Sequence, residues 1–157
     1  MYEIYTDGST RGNGMEGAYG GYAFVLLKDG EKIYEFSRHE DRTTNQQMEL
    51  MAAISALTYL DNMTGGFFDC TLYSDSAYLI NCKNQSWYRI WETNGWRTST
   101  GKDVANQTFW EKLIPFFNNS RIKFRKVRGH TGNKDWNDYV DKLAVAATNG
   151  HEVGGEL

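Results

Sequence analysis

The sequence predicts an α/β fold built on one five-stranded mixed sheet, with the first three strands as an antiparallel meander, strands one, four and five parallel, and helices on both faces. Three observations predict it. Strand-like segments divided by glycine turns come first in the chain, at Tyr2–Thr6, Gly21–Leu27 and Lys32–Ser37. A long amphipathic helix follows them. Strands and helices then alternate, which is the pattern of parallel strands joined by crossover helices.

The three early segments are rich in β-branched and aromatic residues, and turns such as Lys28-Asp29-Gly30 between them favour antiparallel neighbours. From Asn45 to Leu60, Leu50, Ala53, Ile54 and Leu57 recur at helical spacing behind the overlapping capping patterns Thr43-x-x-Gln46 and Thr44-x-x-Gln47. Cys70–Ser74 reads as strand four, Ser76–Lys83 as a short helix, and Trp87–Glu92 as another capped by Ser86. Phe109, Trp110, Leu113, Ile114 and Phe117 form the apolar stripe of the next helix, which Pro115 is expected to kink or end. Strand five, Ile122–Val127, alternates so that Arg121, Lys123 and Arg125 share one face and Ile122 and Phe124 the other. By itself that basic stretch reads as a solvated strand face. The last helix carries Trp136, Val140, Leu143, Ala144 and Ala147 on one stripe.

With 157 residues the chain fits one domain, expected over residues 1–149, while the glycine-rich, acidic residues 150–157 are expected to form a disordered tail. A hydrophobic content of 40% and a single proline exclude a disordered or fibrous class. No apolar run approaches membrane-spanning length, and the amino terminus lacks the regions of a secretory signal, so a cytoplasmic address is expected. Cys70 and Cys82 have no zinc-site spacing and read as buried or incidental thiols. A net charge of −3 argues weakly against a nucleic-acid partner.

The acidic residues point to chemistry. Asp7 is expected to end strand one and Asp75 strand four, so parallel pairing brings both carboxylates to one rim of the sheet, where open α/β sheets place their sites. Glu49, in the first turn or so of the long helix, and Asp141, at the analogous place in the last helix, converge on the same rim. Singly, each has an ordinary explanation as a turn, a cap or a surface charge. Together they form a cluster whose repulsion is unfavourable unless divalent cations neutralise it.

The motifs around these acids resemble those of the type I ribonuclease H family. Tyr5-Thr6-Asp7-Gly8-Ser9 is similar to its first catalytic strand, and Thr43 through Ala53 to its catalytic helix almost residue for residue. Tyr73-Ser74-Asp75-Ser76 resembles the third acidic motif, Gly95-Trp96-Arg97-Thr98 the substrate-handling loop, and Val127-Arg128-Gly129-His130 with Asn137 through Ala144 the carboxy-terminal motifs. Coverage runs from about residue 2 to about residue 148. The resemblance implies an endonuclease that hydrolyses the RNA strand of RNA–DNA hybrids and leaves 3′-hydroxyl and 5′-phosphate ends. Asp7, Glu49, Asp75 and Asp141 would hold two Mg²⁺ ions about 3.5–4 Å apart, with Mn²⁺ as a substitute, and His130 would shuttle a proton or assist product release.

The resemblance also implies substrate contacts. Asn13, Asn45 and Gln46 match positions that meet the minor groove, Arg42, Thr44 and Asn106 a phosphate pocket, and Tyr78 and Trp87 aromatics that pack on deoxyribose; such contacts read shape and sugar rather than base. Trp91 and Trp96 are expected in core packing. The loop Gly12–Gly17 replaces a proline-containing turn, and Asp138 is an acidic neighbour of Asp141. In the protruding segment Trp87 to Lys102, Glu92, Thr93 and Asn94 stand where basic residues are common, which predicts weaker and more salt-sensitive hybrid binding. No protein partner is inferred and a monomer is expected. The alternatives are a catalytically weak hybrid-binding module and a related two-metal nuclease acting on DNA.

Overall fold

The computed structural model describes residues 1–128 and 135–155. In chain order the elements are β1 (Tyr2–Arg11), β2 (Tyr19–Lys28), β3 (Glu31–Asp41), α1 (Asn45–Thr64), β4 (Cys70–Ser74), α2 (Ala77–Asn84), α3 (Trp87–Thr93), α4 (Gln107–Phe117), β5 (Ile122–Lys126) and α5 (Trp136–Thr148). They form the expected five-stranded mixed sheet, in the order β3-β2-β1-β4-β5. Strands β1, β2 and β3 pair antiparallel, whereas β1, β4 and β5 are parallel. The meander and the pairing of β1 with β4 are as expected, while the place of β5 beyond β4, which leaves β3 and β5 at the two edges, could not be read from the sequence.

Side chains alternate across the sheet and create two cores. On one face Ile4, Phe24, Leu26 and Leu72 pack with Leu50, Leu57 and Trp110 of the α1 and α4 layer. On the other, Ala23, Val25 and Leu27 of β2 meet Val140 and Ala144 of α5. Two glycines set the approach of these helices. A Cβ on Gly8 would lie 2.7 Å from the backbone of Met48 and Glu49 in α1, and one on Gly21 would lie 2.6 Å from the Thr148 nitrogen at the end of α5. Each glycine therefore lets a helix press its backbone onto the sheet from opposite sides.

The first three strands are longer than their alternation suggests. β1 runs to Arg11 and β2 begins at Tyr19, so Asp7 lies inside β1 instead of ending it. Gly8 and Gly20 lie outside the strand segments expected from the sequence, but with Gly21 they serve as close-approach positions in the ladder. Pro115 lies within α4, which ends two residues later at Phe117. Ser86 precedes α3 in a left-handed conformation, φ 57°, and its side chain makes no capping bond, which corrects its expected role. Both cysteines are buried thiols, and burial pushes each up to about 12.

The described part of the carboxy terminus is also corrected. The Ser37 amide donates to the Val153 carbonyl (2.9 Å), and the Val153 amide donates to Ser37 Oγ (3.0 Å). Arg38 donates to the carbonyls of Val153, Gly154 and Gly155, and the His39 amide donates to Glu152. Residues 152–155 thus form a strap along β3. The polar backbone of an edge strand attracts any available partner, and here the chain's own end takes that place.

Candidate functional site

The parallel pairing of β1 with β4 sets the site. Tyr5 stands opposite Tyr73, so Asp7 and Asp75, each two residues further on, emerge at the same rim. Capping geometry orients α1 toward that rim: Thr44 Oγ1 accepts from the Gln47 amide and Asn13 Oδ1 accepts from the Asn45 amide. One amide then joins two acids, because Gly8 N–H donates to Asp7 Oδ1 (2.9 Å) and to Glu49 Oε1 (3.2 Å). From the opposite face, α5 brings Asp141 into the same cleft of about 440 Å³ that Asp7, Glu49 and Asp75 line. Asp138 does not line it; its amide is capped by Asp135 at the start of α5.

The electrostatics are those of anions crowded out of water. Asp7 and Glu49 are 3% and 5% exposed, which leaves little solvent to stabilise their charge. Burial, then the charges of Glu49 and Asp75, push the Asp7 carboxyl far above its ordinary range. Burial and Asp75 likewise raise Glu49, although the bonds from Asp7 and the Gly8 amide oppose the shift. Without a cation, burial and mutual repulsion favour the protonated forms of Asp7 and Glu49. Glu49 Oε2 is buried with no hydrogen-bond partner among the described residues.

This donor set fits a hard divalent cation. Asp7, Glu49 and Asp75 each present a carboxylate oxygen, and these oxygens lie within 4.8 Å of one another. Oxygen ligands, a buried unpartnered acceptor and uncompensated negative charge are what such an ion satisfies.

The other expected site residues fall into distinct places. Asn45, Gln46 and Tyr78 line the carboxylate cleft. Asn106 Oδ1 accepts from Gln47 Nε2, and its Nδ2 donates to the Tyr78 hydroxyl, which also accepts from Trp110 Nε1. Thr44 joins this chain through Gln47. Arg42 takes a positive φ of 52° and lines a separate depression with Met15 and Thr43. Trp87 is half-buried and donates to Gln85, beside Trp91 and Trp96, which pack against the core as expected. His130 lies outside the described residues. Sequence reasoning missed Gly8, Gly21 and Gln47 as positioning residues. It also missed buried Asn137, whose Nδ2 donates to the Arg128 carbonyl and ties the end of β5 to the start of α5. The only sequence signal for Gly8 and Gly21 is a glycine inside an otherwise strand-like run.

Comparison with known proteins agrees with this geometry. A family model described as RNase H matches residues 1–149. A ribonuclease H of Syntrophomonas wolfei is 43% identical over 141 residues, covering 90% of this chain and 91% of that protein. A ribonuclease H of Chlorobaculum parvum is 41% identical over 144 residues, covering 92% of each. Among solved structures, LC9-RNase H1, a type 1 RNase H with the type 2 active-site motif, superposes with a TM-score of 0.80 at 29% identity, covering 98% of this chain and 75% of that one. LC11-RNase H1 in complex with an RNA/DNA hybrid shares the fold, with a TM-score of 0.67 at 24% identity, covering 95% of this chain and 97% of that one. With its sheet order, its rim of carboxylates and these relatives in agreement, the chain belongs to the ribonuclease H family of nucleases.

Proposed function

We propose that the protein hydrolyses the RNA strand of RNA–DNA hybrids, using two Mg²⁺ ions held by Asp7, Glu49, Asp75 and Asp141, with Mn²⁺ able to substitute. The observation that carries this reading is the carboxylate cluster around buried Asp7 and Glu49, with Glu49 Oε2 left without a hydrogen-bond partner among the described residues. When bound, the cations supply charge neutralisation, water activation near neutral pH and stabilisation of the departing 3′ oxygen, which leaves 3′-hydroxyl and 5′-phosphate ends.

The chain's own residues supply position. Gly8 N–H holds Asp7 and Glu49 in register with one another, so the acids are in place before any ligand arrives. Asn45 and Gln46 border the cleft at the start of α1, where amide side chains can meet minor-groove edges and ribose hydroxyls. The Gln47–Asn106–Tyr78–Trp110 chain stiffens the opposite wall, and Tyr78 with Trp87 offers flat surface to a deoxyribose. Arg42, Thr44 and Asn106 are assigned to a phosphate of the DNA strand, Asn13 to the minor groove, and His130 to proton transfer or product release. The protein is assigned to the cytoplasm and to a monomeric state; among the described residues no helix is long and apolar enough to cross a membrane.

A protrusion with fewer cations binds the duplex less tightly. Fewer counterions are also released there, so the salt dependence becomes shallower, contrary to the steeper dependence expected from the missing charge.

Incubation of end-labelled hybrid, duplex DNA and duplex RNA with and without Mg²⁺ tests the reading. Shortening of the RNA strand of the hybrid alone, and only with the metal, is the expected result. Cleavage of duplex DNA, or binding without cleavage, would replace it with one of the two alternatives.

A further inference from the structure

The two edges of the sheet differ in what covers them. β3 is covered by the carboxy-terminal strap, whereas β5 borders a groove of about 640 Å³ lined by Lys83, Lys123, Arg125, Lys126, Tyr73 and Asn84 among others. No carboxylate lines this groove, and none of its four cations makes an ion pair among the described residues. Arg121, at the far end of the strand, is by contrast paired with Asp69 at 2.9 Å. Lys123, Arg125 and Lys126 are all exposed. In a chain of net charge −3, four cations without an ion pair among the described residues, gathered around one strand edge, are a local reversal of sign.

The groove also has a direction. Lys126 is paired with Ser74, the residue immediately before Asp75, so the basic track starts beside the carboxylate cleft and recedes from it along β5. Lys123 to Lys126 spans about 10 Å of strand, close to the axial rise of three base steps. Asn84 Nδ2 donates to the Phe124 carbonyl and so covers part of the strand's free edge, which disfavours strand addition there and leaves the side-chain charges as the recognition feature.

We propose that this groove is a second nucleic-acid contact, which takes the phosphate backbone of the hybrid where it leaves the carboxylate cleft. The inference rests on the hybrid-cleaving reading and adds to it. It places on β5 the positive charge that the protruding segment lacks at Glu92, Thr93 and Asn94. The backbone is favoured over an acidic polypeptide because the track is continuous with a cleft that must already hold a polyanion.

The test compares the double substitution Lys123→Gln with Arg125→Gln against a control pair, Lys28→Gln with Lys112→Gln, exposed cations elsewhere on the surface. The reading is kcat/KM for a long hybrid as a function of salt. Removing two phosphate contacts is expected to raise KM several-fold at fixed salt and to lower the log–log salt slope by roughly 0.9 per cation, while the control pair changes the slope little. A short hybrid that ends within the cleft should not distinguish the variants. An unchanged slope, or an equal drop in the control pair, would overturn the groove while leaving cleavage intact. Loss of binding to poly-glutamate with normal hybrid kinetics would also overturn it, in favour of an acidic partner. Failure of the unmodified protein to cut any hybrid would remove both the function and the groove's occupant.

Discussion

The carboxylate rim and the β3 edge meet the same physical demand in opposite ways. Along β3, Arg38 satisfies the carbonyls of Ser37, Val153, Gly154 and Gly155 while its guanidinium lies 4.1 Å from the Phe36 ring centroid. Ser37, Arg38 and the His39 amide there find their partners inside the chain. At the rim, two buried acids share one amide, and Glu49 Oε2 has no hydrogen-bond partner among the described residues. Polar groups withdrawn from water need partners. A region that supplies them internally adds stability, and a region that leaves them to an outside ligand is built for function.

The sharpest way to break this comparison is at Asp7. Asp7→Asn removes charge from the cation site but keeps the shape, so kcat for hybrid cleavage should fall at least about 10³-fold, equivalent to about 4 kcal/mol. The metal-free melting temperature at pH 8 should rise, because a buried carboxyl that must take up a proton on folding is gone. Steady-state kinetics and thermal denaturation read the two effects, and near-normal turnover would refute the assignment.

Titration sharpens it next. Glu49, ordinarily near 4.5, is pushed up to about 8, and Asp7 is raised further in the same direction. The folded protein therefore holds protons that the unfolded chain has released. Metal-free stability is highest below the ordinary carboxyl range and falls as pH rises from about 4.5 toward about 8, by up to about 1.4 kcal/mol per pH unit for each proton involved. Mg²⁺ replaces those protons, so its stabilising effect should be larger at pH 8 than at pH 6. Denaturation midpoints across that range, with and without the metal, check the sign.

Gly8→Ala tests the packing behind the rim. The added methyl meets the α1 backbone at 2.7 Å, which should cost about 1–3 kcal/mol and lower activity by displacing Glu49. Ending the chain at Asn149 tests the other region. Loss of the strap should lower stability by about 1–2 kcal/mol through the lost hydrogen bonds, with hybrid kinetics at moderate temperature unchanged. If that truncation reduced kcat instead, the strap would belong to function and the comparison would fail. The smallest effect is expected from Arg38→Lys, which keeps the charge but loses the fork that serves several carbonyls, at about 0.5–1.5 kcal/mol.

Much of this was readable beforehand. The helix start at Thr43 or Thr44, the helical spacing of α1 and the alternation of β5 follow from residues close together in the chain, whereas the burial of α1 on nearly every side, unbroken from Ala52 to Leu57, corrects the single apolar stripe expected of it. The choice of Asp141 over Asp138 rested on helical register and agrees with the lining of the cleft. The strap was not readable, because a glycine-rich acidic stretch looks disordered unless Arg38 is known to lie beside it. Gly8 was misread for a similar reason: Asp-Gly signals a turn locally, but here the missing Cβ admits a helix from elsewhere, as it also does at Gly21 inside strand two. Ser86 has the right side chain for a cap but a left-handed backbone conformation in which it makes no capping bond.

The amino-acid sequence alone determined the order and type of the elements, because periodicity, capping and turn chemistry act over a few neighbouring residues, while the four acids were singled out by surrounding motifs that resemble those of the family. Only the tertiary structure decided the place of β5 beyond β4, the length of the meander, the shared Gly8 amide, the strap on β3 and the open basic edge at β5. Those features depend on which distant backbone comes within a few ångströms, and no local pattern encodes that distance.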